Sequence, residues 1–468
     1  MTLAPDQSAR VTDPAVTASV RDAVSEPSPR GIAAAVNRLI RADRLKVGVR
    51  LPTVRDLAAE LGVSPATVSE AWQALSAVGA IESRGRAGTF VRSSAEPSRP
   101  VRYLSVGMAP SVGGLDLSTS MPDPALLPSL DSCLRSVTWT ALQWTTSYLD
   151  DPVIPELQAK FLETWPYRPE RMVTVDGALD GLSRVIDQVV SIGDRVVVED
   201  PGFPALLDLL DSRGAEIIPV EMDGQGILPE ALARALAGEP VATFLHSRAQ
   251  NPTGAALTEG RRSQLAAVLS ASRAVVVEAD HSGMIAQAPE ISLGSELPDR
   301  TVHVRSYSKS HGPDLRLAAL SGPAHIVDPL MARRMLGPGW TSRILQSLLL
   351  ALLDDPEAQE CVARARSIYR DRREMLSGLL EKHGLHVHPG DGVNLWVGVE
   401  DERSALLTLA AAGIRVAPGS PFSVKPRGVA HVRVTSALMP DDADEQAIIA
   451  GHIAVAARVT PSPRGGVS

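Results

Sequence analysis

Apolar positions recur with two different periods along this chain, and the change of period divides it. Residues 31–43 carry apolar side chains at helical spacing. A second helix is predicted after Leu51-Pro52-Thr53, with Thr53 as N-cap, Leu57, Ala58 and Leu61 as the buried face, and Gly62 as its end. Ser64 caps a third helix whose first position is Pro65 and which runs to about Val78, before Gly79. Ile81–Arg84 and Thr89–Arg92 read as two short strands around the turn Arg84-Gly85-Arg86-Ala87-Gly88. Three short helices and a hairpin predict a winged helix-turn-helix.

From about residue 115 the pattern changes. β-Branched runs at Met172–Val175, Arg195–Glu199, Ala242–His246, Ala274–Glu278 and Val302–Arg305 alternate with helical stretches. That rhythm predicts an α/β domain, a mainly parallel sheet with helices on both faces. A long helix is predicted at about Asp354–Lys382. Short strands at Leu395–Val399, Ile414–Val416 and His431–Thr435 predict a smaller α/β domain after it. The expected division is a disordered tail 1–22, a winged helix 23–92, a linker 93–114, a large domain 115–325, a small C-terminal domain 326–460 and a disordered tail 461–468. No internal repeat is visible.

Composition removes several alternatives. The chain has 468 residues, 44% hydrophobic and 21% charged, which suits globular domains rather than disorder. Two cysteines, Cys133 and Cys361, provide neither a disulfide framework nor a cysteine-rich zinc site, and are expected to be buried small hydrophobes. No metal site is expected. The longest clean apolar stretch, near Leu348–Leu353, is far shorter than the roughly 18 residues that a membrane span needs. The first 29 residues lack an apolar signal core, so a cytoplasmic protein is expected. The net charge of −8 argues against a nucleic-acid partner until it is divided. Residues 30–92 contain ten basic and five acidic residues, a local +5, which leaves −13 for the rest.

The basic module carries candidate DNA contacts. The N-terminal turn of the third helix presents Ser64, Ala66, Thr67 and Ser69, small enough for close approach to a major groove. Arg50, Arg55, Arg84 and Arg86 are placed to neutralise phosphates, with Thr53 beside them. The run Arg50-Leu51-Pro52-Thr53-Val54-Arg55-Asp56-Leu57-Ala58, then Gly62-Val63-Ser64, Thr67-Val68 and Gly88-Thr89-Phe90-Val91, resembles the N-terminal domain of GntR-family regulators. The family often has arginine after the helix-opening serine and near the Thr-Val pair; this chain has Pro65 and Ser69 there.

The acidic remainder carries different chemistry. Of five lysines, Lys309 alone follows an apolar strand in a small polar setting, Ser306-Tyr307-Ser308-Lys309-Ser310. A Schiff-base lysine needs such a strand-end position, partly desolvated. Ser306, Ser308 and Arg316 together suit a phosphate. Gly177-Ala178 opens a helix, whose free N–H groups suit the same anion. Asp176 before them reads as a helix N-cap. Asn251, in Gln250-Asn251-Pro252-Thr253-Gly254, suits a ring hydroxyl; Phe203, just after a strand, suits a flat ring; Arg433 suits a carboxylate. In this order these features resemble the fold-type I, pyridoxal-phosphate-dependent aminotransferases over about 115–455.

The resemblance implies pyridoxal 5'-phosphate joined to Lys309, with Asn251 on the ring hydroxyl and Phe203 stacked on the ring. It also implies phosphate contacts from Gly177, Ala178, Ser306 and Arg316, and Arg433 on a substrate carboxylate. Tyr148 is expected to reach the phosphate, either of its own subunit's cofactor or, in a homodimer, of the partner's. An aspartate is expected against the pyridine nitrogen, usually within Glu-Asp-Asp-Tyr. Here the chain reads Glu278-Ala279-Asp280-His281. Alignment on Glu278 puts Ala279 in that place, whereas a shift of one residue lets Asp280 serve. A winged helix followed by such a body resembles the MocR type of GntR-family regulators. The implied function is a regulator that binds operator DNA and senses pyridoxal phosphate or an amino compound. The alternative is an active aminotransferase with an appended DNA-binding domain.

Overall fold

The computed structural model describes residues 14–460 apart from 43, 78, 86–87, 93–99, 108–113, 137–146 and 426–427. Arg86, the tail 461–468, and parts of the N-terminal tail and linker therefore lie outside the described residues. The N-terminal module contains helices Pro29–Arg41, Val54–Leu61 and Pro65–Ala77, then antiparallel strands Ile81–Ser83 and Thr89–Val91. Its helix ends follow local chemistry. Thr53 Oγ accepts the Asp56 amide at 3.2 Å, and Ser64 Oγ accepts that of Thr67 at 3.2 Å. Gly62 ends the first of these two helices at φ +67°, a conformation glycine adopts without strain. Ile32, Val36, Leu57, Val68, Trp72, Leu75 and Ile81 form the core.

The N-terminal tail is shorter than the sequence suggested. Residues Pro14–Ala23 form a helix, and its Val20 is fully buried in the winged-helix core. One buried side chain among polar neighbours leaves too weak a periodic signal to separate from a tail.

In the body, eight strands lie in the spatial order 171–175, 318–322, 301–306, 275–280, 242–246, 195–200, 216–223, 226–227. The pairs from 301–306 through 275–280 and 242–246 to 195–200 are parallel, while 318–322 runs antiparallel to both its neighbours. Sequence reasoning missed 216–223, which contains Pro219, and 318–322, which has no β-branched residue. The long helix begins only at Pro356; a separate helix, Arg343–Asp354, precedes it. The smaller sheet has the order 395–399, 430–434, 414–418, 115–117. Leu115–Leu117 runs parallel to the strand Ile414–Pro418, so this segment belongs to the small sheet rather than to the large one. Within the expected linker, Val101–Gly107 is a helix.

The two faces of the large sheet are chemically opposite. In register, Glu278 lies beside His303, and Asp280 beside Arg305. On the other face Ala279 lies beside Val304 and beside His246. The first face is a buried ion network. Arg248 Nη2 meets Asp280 at 2.8 Å and Glu290 at 3.1 Å; Arg305 Nη2 meets Glu290 at 2.7 Å. His303 bridges Glu278 at 2.9 Å and Glu290 at 3.3 Å. The second face receives the helix Ala178–Val189, where a methyl on Gly181 would lie 3.1 Å from Val175 and 3.4 Å from Val304.

Burial works against the His303 imidazolium, but its bonds to Glu278 and Glu290 win and push it up to about 9. A folded-state value above the unfolded one stabilises fully below about 6.5 and is lost as pH rises through about 9, a contribution on the order of 3 kcal/mol. Denaturant unfolding between pH 6.5 and 9.5 should show this fall in the wild type. In His303→Gln this fall should be absent, so that the difference between the two curves carries it.

Candidate functional site

A cleft of about 180 Å³ opens where the second face meets the strand ends. Phe203, Asn251, Ser306, Ser308, Lys309, Arg316, Arg433 and Ala178 line it. The structure thus gathers these sequence-predicted residues in one place. Ser306 has the same strand parity as Val304, so it faces the side where the helix 178–189 begins. Lys309 lies in the short helix Ser308–His311 directly after that strand.

Lys309 Nζ approaches only the His281 carbonyl, at 3.5 Å, among its described hydrogen bonds. Burial, with the charge of Arg433 added, pulls the ammonium down to about 8. A substantial fraction of the amine is therefore neutral near physiological pH, as nucleophilic attack requires.

Gly177 precedes the helix N-terminus at φ +99°, and a Cβ there would lie 2.6 Å from Arg316 Nη2. The backbone and the guanidinium are thus close enough to share one small anion. Arg316 itself adopts φ +47°, uncommon for a residue with a side chain, and donates to the Asp176 carbonyl at 3.2 Å. Asp176 does not cap the helix; its carboxylate takes buried Arg334 at 2.8 Å. That charge pair outcompetes a local cap.

Arg433 is buried, and burial pulls it down to about 9. Its Nη1 donates to Asn251 Oδ1 at 3.1 Å and its Nη2 to the Ser118 carbonyl. Among the described residues no carboxylate pairs with it. An anionic ligand would supply the missing charge.

Two sequence-predicted residues stand apart. Asp280 does not line the cleft. Its carboxylate accepts Arg248 at 2.8 Å and the Gly283 amide at 2.8 Å, on the opposite face. Arg248 overcomes the burial that would otherwise protonate it and holds it below the usual carboxylate range. Strand alternation thus leaves Ala279 on the cleft side. Tyr148 is 88% exposed and lies against Trp340, with ring centroids 5.9 Å apart.

Three contributors were given no role in the site from the sequence. The helix Val101–Gly107 lends Tyr103 and Val106 to the cleft wall, and Tyr103 lies edge-on to Phe203 at 6.3 Å. The Pro/Ser-rich neighbourhood concealed it. His281, already noted in place of tyrosine, lies 4.8 Å from Phe203 between ring centroids. His246 lies behind both, 5.1 Å from His281 and 6.3 Å from Phe203. Its signal was a polar residue ending a strand otherwise apolar but for Thr243.

In the N-terminal module Ser64 and Ala66 are exposed, Thr67 and Ser69 half-buried, and Arg55 exposed. Thr53 donates to Asp56 Oδ2 at 2.7 Å. Arg84 donates to Glu82 at 2.7 Å and lies 4.9 Å over the Phe90 ring. Arg50 bridges to Phe90 in β geometry.

Comparison with known proteins covers both parts. Residues 29–91 match "Bacterial regulatory proteins, gntR family", and residues 141–450 match "Aminotransferase class I and II". The vitamin B6 salvage pathway transcriptional repressor PtsJ of Salmonella typhimurium is 34% identical over 83% of this chain and 90% of its own. The HTH-type transcriptional regulator TauR of Rhodobacter capsulatus is 29% identical over 82% and 87%. Aspartate aminotransferase from Thermus thermophilus superposes with a TM-score of 0.66 at 21% identity, over 77% of this chain and 97% of that one, which establishes the shared fold. With both domains matched in this order and a relative of this identity nearly spanning its own length, the chain belongs to the MocR type of GntR-family transcription regulators.

Proposed function

We propose that this chain binds operator DNA through its winged helix and binds pyridoxal 5'-phosphate in its aminotransferase-like body, responding to that compound or to an amino compound. The carrying observation is the juxtaposition in one cleft of a depressed lysine amine and a buried arginine with no carboxylate partner among the described residues. The residues suit the group: Lys309 for its aldehyde, Gly177, Ala178, Ser306, Ser308 and Arg316 for its phosphate, Asn251 for its hydroxyl and Phe203 for its ring face. When bound, the cofactor supplies an electrophilic carbon and a ring that delocalises charge. Arg433 then receives the carboxylate of an amino compound. The similarity to PtsJ, a transcriptional repressor of a vitamin B6 salvage pathway, supports the same ligand.

The helix Val101–Gly107 supports sensing over turnover. The cleft is smaller than the roughly 300–1,000 Å³ usual for ligand sites, and Tyr103 and Val106 form one of its walls. A ligand next to Arg433 therefore meets the very segment that follows the DNA-binding module in the chain. A ligand shifts a conformational balance only through contacts that differ between states, and this wall provides such contacts. The working unit is a homodimer, in which exposed Tyr148 meets the partner's cofactor phosphate.

Operator affinity of the full chain should change when pyridoxal phosphate is added, and Lys309→Ala should abolish the change. Unchanged affinity would remove the sensing half of the reading. Steady transamination of an amino acid, lost in Lys309→Ala, would instead favour the catalytic alternative. The rate of cofactor capture, followed by absorbance, should rise with pH and level off above about 8, because only the neutral Lys309 amine attacks. Burial is the larger cause of this value; the charge of Arg433 adds to it and that of Asp280 opposes it. Arg55→Ala should weaken binding to all DNA sequences alike and lower the slope of log affinity against log salt by about 0.9, the release expected per phosphate contact.

A further inference from the structure

The cleft face of the sheet lacks the carboxylate that a protonated pyridine nitrogen ordinarily meets. Asp280 is committed to Arg248 on the other face, and Ala279 stands at the cleft-side position. In register beside Ala279 is His246. Alanine has no polar atom and a short side chain, so the polar group next in line at that level is the His246 imidazole.

The environment of His246 is built rather than incidental. Glu199, itself buried, accepts the His246 backbone amide through Oε1 at 3.1 Å and bonds Nδ1 through Oε2 at 2.7 Å. Gln250 donates to the same carboxylate at 3.3 Å. A carboxylate accepts, so Nδ1 carries the proton and Nε2 carries the lone pair. That Nε2 is buried and has no hydrogen-bond partner among the described residues. Buried polar atoms are seldom left unpaired, and an orphan in a native structure marks either strain or a ligand's place. The ring containing it lies against Phe203 and His281, two of the rings that line the cleft.

We propose that His246, oriented by Glu199, takes the place of the absent aspartate and meets the pyridine nitrogen of the bound cofactor. This assignment rests on the reading that the body binds pyridoxal phosphate. Nε2 accepts the N–H of a protonated ring nitrogen, and Glu199 compensates the charge from the far side of the imidazole. The counter-charge thus stands one ring further away than a directly bonded carboxylate would. It holds the ring proton less firmly, so the site favours retaining the cofactor over stabilising the carbanions of transamination.

The test compares pyridoxal phosphate with 1-deazapyridoxal phosphate, in which C–H replaces the ring nitrogen. Affinities are read by absorbance titration of the full chain. The wild type should bind the natural compound about tenfold tighter, the loss expected for one buried hydrogen bond. His246→Ala should bring the ratio close to one, and His281→Ala should leave it. Ala279→Asp added to His246→Ala should restore it, by returning a carboxylate to the cleft side. Equal affinities in the wild type would overturn the assignment, as would a preference that survives His246→Ala. If the His246 variant does not fold, the wild-type ratio together with a reduced ratio in Glu199→Gln decides the matter. A wild type that gives no absorbance change with either compound would overturn the cofactor reading as well. That outcome is distinct from a change that shows no preference.

Discussion

The pairing of Asp280 with Arg248 is the interaction on which the body's chemistry depends. A carboxylate buried at the middle of a sheet needs a cation, and Arg248 provides one at 2.8 Å. Arg248 also holds Glu290, which in turn holds Arg305 and His303. Because strand side chains alternate, fixing Asp280 on this face fixes Ala279 on the other. The network thereby decides which residues the cleft does and does not contain. Asp280, Glu290 and His303 have ligand atoms close enough together for a metal ion, but two arginines already meet their charge.

The opposite face is consequently specialised for binding a flat anion. It presents a helix N-terminus next to Arg316, a lysine with a weakened hold on its proton, and aromatic rings from Phe203 and His281. The division also explains a second asymmetry. Charged groups on the network face are saturated with partners, whereas Arg433 and the two histidine Nε2 atoms on the cleft side are not fully matched. Saturated groups hold a fold together; unsaturated ones are available to a ligand.

Much of this was legible in the sequence because it depends on local patterns. Thr53, Gly62, Ser64 and Pro65 punctuate the winged helix, and the strand–loop positions of Asn251 and Lys309 mark the cleft. What escaped depends on contacts distant in sequence. Whether Asp280 or Ala279 faces the cleft follows from Arg248, thirty-two positions away, which no local pattern announces. Pro219 disguised one strand, and a Pro/Ser-rich setting disguised the helix 101–107. Leu115–Leu117 is too short to register alone and gains its strand character from Ile414–Pro418.

That last pairing has a mechanical meaning. Tension applied to Leu115–Leu117 along the strand axis is borne by its pairing with Ile414–Pro418. Parallel strands loaded in this way resist by shear, with their hydrogen bonds sharing the force rather than opening one at a time. Immediately beyond the strand, the Ser118 carbonyl accepts from Arg433, and the Ser120 amide donates to Thr435. A displacement of this strand is therefore delivered through the Ser118 carbonyl to Arg433 in the cleft.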